Sequence, residues 1–214
     1  VNNNFECRLC NEQSRLQKLN GADDREYYLC QSCNLISVDS RYFLSVDEER
    51  ARYETHNNTI ENEGYVNFLN RIIDPMLEFI EPGMRGVDYG CGPGPTLSQL
   101  VRRKGIDCDD YDPIFYPGQL RQQYDFVFCA ETFEHFFYPE AEIEKLATLL
   151  VPDGFLGVMT EMWESVDQFK TWYYTRDSTH VSFYHRTTFD YMCRSFGFEK
   201  RYSDDTRVIV VQKI

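Results

Sequence analysis

"VDYGCGPG" (residues 87–94) is the stretch on which the fold turns: an apolar strand, a turn with three glycines, and then the helical "PTLSQLVRRKG" (95–105). Glycine lets backbone approach a ligand closely and takes positive φ at little cost. A dinucleotide fingerprint needs a small residue three positions after its second glycine. That position is Pro95, which suits the role poorly. Eighteen residues beyond Gly94, "YDP" puts Asp112 at the end of a weaker strand, "IDCDDYD" (106–112), placed to take a ribose diol in a bidentate hydrogen bond. Asp88 sets negative charge beneath the loop, which opposes a pyrophosphate and favours a ligand bearing a cationic amino group.

Outward from this turn, strands and helices alternate. "YDFVFCA" (124–130) reads as a strand and "PEAEIEKLATLL" (139–150) as a helix with Pro139 in its first turn. "PDGFLGVMTE" (152–161) gives a turn and another strand. "TTFDYMCRSFGF" (187–198) reads as a helix with Thr187 and Asp190 at capping-box spacing and Gly197 as its stop, and "TRVIVVQKI" (206–214) as a final strand. Such alternation predicts an α/β fold, a mostly parallel sheet with helices on both faces. Upstream, residues 47–81 have a helical pattern in which Tyr65, Phe68, Leu69, Ile72, Ile73, Met76 and Leu77 recur at helical spacing, with Pro75 as a kink or a new start.

The 214 residues suit one domain with a small appendage, and 42% apolar residues supply a core. With 35 acidic against 22 basic residues the net charge is −13, so no footprint for nucleic acid or an anionic membrane is present. The opening "VNNNFECRLC" has no basic start and no apolar run, so a secretory signal is not expected. No window approaches the ~20 apolar residues of a membrane span. A soluble, cytoplasmic protein is expected.

Of the eight cysteines, Cys7, Cys10, Cys30 and Cys33 form two CxxC pairs, with nineteen residues between Cys10 and Cys30. That spacing matches a tetrahedral zinc site, closed by four thiolates and therefore structural. Residues 1–38 would form this ribbon, ending in the strand-like "EYYLCQSCNLISV" (26–38). Its role is packing, or one wall of a substrate pocket.

After the strand "YDFVFCA" comes "ETFEH" (131–135). On a helical turn Glu131, Glu134 and His135 share one face, as a general base, a cation site or ordinary solvated polarity. His180 lies in the later stretch "MWESVDQFKTWYYTRDSTHVSFYH" (162–185), while His56 and His185 have weaker cases. Trp163, Phe169, Trp172, Tyr173 and Tyr174 either form a lid over an acceptor or pack the insertion onto the sheet.

These stretches, in this order over residues 65–214, closely resemble the class I S-adenosylmethionine-dependent methyltransferases. "VDYGCGPG" resembles their first motif, "YDP" their second-strand acid, "YDFVFCAETFEH" their fourth strand and the turn after it, and "LLVPDGFLGVMTE" (149–161) their Leu-x-Pro-x-Gly turn and fifth strand. The resemblance implies a seven-stranded Rossmann-like sheet whose last strand is antiparallel. By it, Gly90, Gly92 and Gly94 border the methionine part of the cofactor and Asp88 its amino end. Asp112 binds the ribose, and Ala130 and Glu131 lie beside the sulfonium. An amino-terminal four-cysteine ribbon resembles an arrangement in some sugar and small-molecule methyltransferases. Only "PIFYPGQLRQQY" (113–124) stands between Asp112 and Asp125, too short for the family's usual helix and third strand. The sheet is therefore expected to be reduced at that edge, with Ile114, Phe115 and Tyr116 improvising an adenine pocket.

Catalysis on a neutral hydroxyl or amine calls for a base, and His135, then His180, are the candidates. "ETFEH" also resembles the Glu-x-x-Glu-His turn of ubiquinone-biosynthesis O-methyltransferases, which implies that Glu131, Glu134 and His135 hold magnesium or a similar cation. The expected organisation is a zinc ribbon over 1–40, a helical segment over 41–84 and the cofactor domain over 85–214. The expected partner is a small-molecule methyl acceptor, and the competing readings are a non-catalytic cofactor-binding module or a protein methyltransferase.

Overall fold

The computed structural model describes residues 5–55 and 58–214. Two sheets organise it. The larger contains β4 (Arg85–Tyr89), β5 (Asp107–Tyr111), β6 (Tyr124–Ala130), β7 (Leu150–Met159), β9 (Phe198–Ser203) and β10 (Val208–Lys213), in the spatial order β5-β4-β6-β7-β10-β9. The first four are parallel, and β10 runs antiparallel to both β7 and β9. The third-strand edge is missing, as the short 113–124 connection requires: after β5 the chain makes only an isolated bridge between Asp112 and Tyr116 before entering β6.

Strand alternation explains the layers. On β6, Phe126 and Phe128 face one way, packing with Leu69, Ile72, Ile73 and Met76 of α2 (Glu63–Met76) and with Leu97 and Val101 of α3 (Thr96–Arg103). Val127 and Cys129 face the other way, with Ile143 and Leu146 of α4 (Pro139–Leu149) and Phe189 and Met192 of α6 (Arg186–Phe196). All of these are buried.

The expected helical stretch over 47–81 divides. α1 (Val46–Tyr53), with a Ser45/Glu48 capping box, ends before α2 begins, and Pro75 sits in the last turn of α2 without interrupting it. The cap of α6 also differs from expectation. His185 is its N-cap, accepting from the Thr187 N–H and closing a box with Thr188, because the helix starts one residue before Thr187. Gly197 ends it in the left-handed conformation as expected.

The smaller sheet joins the ribbon to the late insertion. β1 (Leu16–Asn20), β2 (Glu26–Cys30) and β3 (Ile36–Val38) are antiparallel, and β3 continues onto β8 (Ser182–Phe183). Trp163, Phe169, Trp172, Tyr174 and Phe183 are buried against Tyr27, Leu29 and Ile36, so the insertion's aromatics mainly serve packing. Phe169 lies in the short helix α5 (Val166–Phe169). Tyr173 is the exposed one, at 57%.

Candidate active site

In open α/β sheets a crevice forms where successive strands depart to opposite sides of their predecessor. Here that point lies between β4, which leads to β5 on one side, and β6 on the other. A cleft of about 910 Å³ opens at their carboxyl ends. Asp88, Gly90, Gly92, Gly94, Asp112, Ala130, Glu131, His135 and His180 all line it. Glu134 lies behind its wall, fully buried.

The glycine turn is a tight cradle. Gly90 has φ +83°, and a Cβ there would lie 2.4 Å from Thr132 Cγ2. A Cβ on Gly94 would lie 2.6 Å from the Asn58 carbonyl oxygen, so the segment before α2 is pressed against the turn. Asp112 staples this side of the cleft. Its Oδ2 accepts from the Gly92 N–H at 3.0 Å, and its Oδ1 from the Ile114 and Phe115 N–H groups at 2.8 and 3.0 Å. Three of its four lone-pair positions are thus engaged by backbone, leaving one on Oδ2 for a ligand rather than the bidentate pair expected. Ile114 lines the cleft, whereas Phe115 packs on Tyr53 and Tyr116 is exposed. Asp88, 3% exposed, is pushed up to about 7 by burial and then by the nearby Asp110 carboxylate.

The "ETFEH" segment is not a turn of α-helix. Glu131 takes a left-handed φ of +51°, with its N–H held by the Met159 carbonyl, and only Phe133–His135 form a 3-10 turn. The three side chains therefore do not share a helical face. Glu131 turns to Arg207, which donates to both its oxygens at 2.8 and 3.0 Å and also pairs with Glu161. Glu134 lies deeper. One oxygen accepts from the Tyr174 hydroxyl, the other has no hydrogen-bond partner, and burial raises its pKa to about 7. His135 and His180 meet edge to face, ring centroids 5.0 Å apart. Burial lowers the pKa of both, His180 to about 3 with His135 as a further cause, so both are neutral at neutral pH. Tyr53 of α1 closes over His135 at 5.3 Å. His185 caps α6, and His56 lies outside the described residues.

Arg207 was missed in the sequence, its one signal a guanidinium at the entry to an apolar strand.

In the ribbon, Cys7 Sγ lies 3.5 Å from Cys33 Sγ and Cys10 Sγ 3.4 Å from Cys30 Sγ, and all four sulfurs lie within 4.8 Å of one another. Tetrahedral Zn–S bonds of ~2.3 Å place sulfurs about 3.8 Å apart, so the donor set suits one zinc ion. Each CxxC turn closes alike: Asn11 and Asn34 adopt left-handed φ and donate their N–H groups to the Cys7 and Cys30 carbonyls. Asparagine tolerates that conformation better than most residues.

A Rossmann-like sheet with a glycine cradle at its switch point and a buried acid beneath defines a class of nucleoside-cofactor enzymes. Residues 61–203 match the model of a methyltransferase domain family, and the chain belongs to that family, the S-adenosylmethionine-dependent methyltransferases. Among solved structures it is similar to a chain in the complex of the Haloferax volcanii Trm112 methyltransferase activator with a methyltransferase. That match has 14% identity and a TM-score of 0.52, covering 79% of this chain and 97% of that one. It is also similar to a SAM-dependent methyltransferase from Archaeoglobus fulgidus, at 17% identity and a TM-score of 0.51 over 68% and 93% of the two chains. At these identities the likeness concerns the fold. No curated protein matches the chain. No helix among the described residues is long and apolar enough to cross a membrane.

Proposed function

We propose that this enzyme methylates a small-molecule acceptor bearing a hydroxyl or amine, with His135 and His180 acting on the acceptor and the ribbon holding one structural zinc ion. The observation that carries this reading is the part of the cleft lined by His135 and His180. There two neutral imidazoles spend Nδ1 on backbone carbonyls, His135 on Thr179 at 3.0 Å and His180 on Tyr174 at 2.8 Å. Each Nε2 is left as a lone pair. Tyr53 and the 173–180 segment enclose that end from two sides, a chamber scaled to a small ligand. The net charge of −13 argues against a nucleic-acid acceptor.

S-adenosylmethionine supplies a methyl group already activated on sulfur. What remains for the chain is alignment, exclusion of water and handling of the acceptor's proton. In this reading the cradle of Gly90, Gly92 and Gly94 takes the methionine part, Asp88 faces the ammonium, and the remaining Oδ2 position of Asp112 takes one ribose hydroxyl. The lone pairs of His135 and His180 face the acceptor.

The test combines calorimetry with S-adenosylmethionine and detection of S-adenosylhomocysteine across a panel of small hydroxyl and amine acceptors. Turnover on a small acceptor is expected, and turnover confined to protein substrates would overturn the proposal. His135→Ala is expected to reduce kcat roughly 10²-fold or more, the usual worth of acid–base assistance, with cofactor affinity nearly unchanged. An unaltered kcat would remove His135 from the mechanism. Gly90→Ala is expected to weaken cofactor binding at least ~10-fold and to cost roughly 1–3 kcal/mol of stability, because alanine meets both the positive φ and the Thr132 side chain. Calorimetry and urea denaturation read the two effects.

A further inference from the structure

We propose that Glu49 is a specificity-determining residue, which anchors a small acceptor by pairing with an ammonium group apart from the atom that is methylated. The inference rests on the small-acceptor reading and narrows its acceptor class. α1 has no apolar stripe to bury, and its one buried residue is an acid: Glu49 is 9% exposed. Glu49, Arg52 and Tyr53 stand at i, i+3 and i+4 on one face of the helix, and all three line the cleft. The helix is tied to two walls of that cleft. Arg50 donates to the Ile114 carbonyl at 2.9 Å, and Arg52 pairs with Asp177 at 2.6 Å. Tyr53, one turn beyond Glu49, packs on His135.

Six carboxylates line the cleft, and four of them are engaged by the chain itself. Asp112 takes three backbone N–H groups, and Glu131 takes Arg207. Asp177 takes Arg52 and the Thr179 hydroxyl, and Glu142 accepts from the Tyr89 hydroxyl at 2.7 Å. Asp88 faces the cofactor's ammonium in the reading above. Glu49 is left with one long hydrogen bond among the described residues, from the Tyr53 hydroxyl at 3.4 Å. The magnesium set expected from the sequence, Glu131 with Glu134 and His135, is not assembled, because Glu131 is committed to Arg207.

The surroundings of Glu49 decide the kind of ligand. Burial raises its pKa, and the ionisable groups that act on it are a neutral imidazole, His135, the Tyr53 hydroxyl and another acid, Asp112. No fixed cation balances it. A buried carboxylate with one long hydrogen bond is costly, and a charged N–H donor beside it offsets that cost and favours the ionised form. An ammonium brings a charge and three N–H donors, whereas an alcohol of the same shape brings one O–H and no charge. An anionic group would be repelled. A protonated amine is not a nucleophile, so the group held by Glu49 anchors the acceptor, and the methyl group goes to a second, neutral hydroxyl or amine facing His135 and His180. The acceptor class is therefore a small amino alcohol, aminophenol or diamine.

The experiment is calorimetry on the full-length, zinc-loaded protein with saturating S-adenosylhomocysteine, using ligand pairs that differ only in amine against hydroxyl. The pairs are tyramine and tyrosol, para-hydroxybenzylamine and para-hydroxybenzyl alcohol, and ethanolamine and ethylene glycol. In at least one pair the amine is expected to bind at least ~10-fold more tightly, the worth of a charge-assisted contact. This comparison needs no variant. Glu49→Gln keeps the shape and removes the charge, so it should abolish the preference while affinity for S-adenosylhomocysteine and for the alcohols stays nearly unchanged. Asp47→Asn, on the exposed side of α1, should alter none of these. Thermal unfolding of each variant separates a lost contact from a lost fold. Equal affinity for amine and alcohol in every pair overturns the assignment, and so does a preference that survives in folded Glu49→Gln. Methyl transfer is scored separately. Transfer to small alcohols without an amine preference overturns the role of Glu49 and leaves the acceptor reading. A Glu49-dependent preference with no transfer to any small acceptor overturns the acceptor reading and leaves the ammonium site.

Discussion

Replacing both Cys30 and Cys33 with serine is expected to lower methyl transfer at least ~100-fold, although no cysteine of the ribbon lines the cleft. The reason lies in how the ribbon holds the loop that carries His180. Arg25, at the entry to β2, donates to the carbonyls of Thr175, Asp177, Ser178 and His180, the last at 2.8 Å. β3 then pairs with β8 directly after that loop, Ser37 opposite Ser182. One guanidinium and one strand pairing thus hold from the ribbon side the backbone that presents His180, which the Val181 N–H also ties to the Glu134 carbonyl. A zinc ion contributes on the order of 10 kcal/mol to folding a segment of this size, more than the ribbon's small core can replace. Without the ion, residues 7–38 lose the fold that holds Arg25 and β3 in place. Turnover should fall at least ~100-fold, the scale on which a small misplacement of catalytic groups acts. The glycine cradle and Asp112 belong to the large sheet, so cofactor affinity should change much less. Elemental analysis, limited proteolysis within residues 14–40, calorimetry and turnover together read the effect. A zinc-free double variant with full turnover would show that the ribbon does not position the site.

The large sheet was legible in the sequence because its signals are local. The alternating faces of "YDFVFCA", the glycine turn and the apolar stripe of α2 each lie within a few residues, and the shortness of 113–124 foretold the missing edge strand. The paired cysteines were legible for the same reason. The end of the cleft lined by His135 and His180 was not, because it is made by distant partners. Glu131 finds Arg207 76 residues away, and His180 meets Glu134 and His135 through a loop bonded both to the 133–136 turn and to a ribbon at the other end of the chain. The "ETFEH" spacing suggested a helical face. The left-handed Glu131 removes it, since a residue at φ +51° sends the chain out of the strand in a direction no helical turn takes. Asp112 was placed correctly along the chain. Its use by three backbone N–H groups follows from how the shortened connection folds back.

Asp88→Asn is expected to make the folded protein more stable and the enzyme worse. Asp88 is buried beneath the glycine turn, and burial together with Asp110 raises it from 3.8 to about 7. A carboxyl whose folded pKa is raised holds its proton in the native state over a range where the unfolded chain has lost it. Its contribution to stability is therefore complete below about pH 4 and declines as pH rises through 7. A rise from 3.8 to about 7 corresponds to about 4 kcal/mol lost by pH 8, at 1.36 kcal/mol per pKa unit. Asparagine keeps the acceptor oxygen and cannot ionise. The variant should therefore gain up to about 4 kcal/mol over the parent at pH 8 and almost nothing at pH 4, as read by urea denaturation at the two values. Cofactor binding should move the other way. An ammonium facing Asp88 favours the ionised carboxylate, so parent affinity should weaken by up to about 10-fold for each pH unit below 7. In Asp88→Asn that pH dependence should vanish, with affinity at pH 8 at least ~10-fold below the parent, the worth of one charge-assisted contact. Equal stability of the two proteins at pH 8 would mean that Asp88 is not held under strain. Parallel binding curves from pH 5 to 7 would mean that the ammonium lies elsewhere.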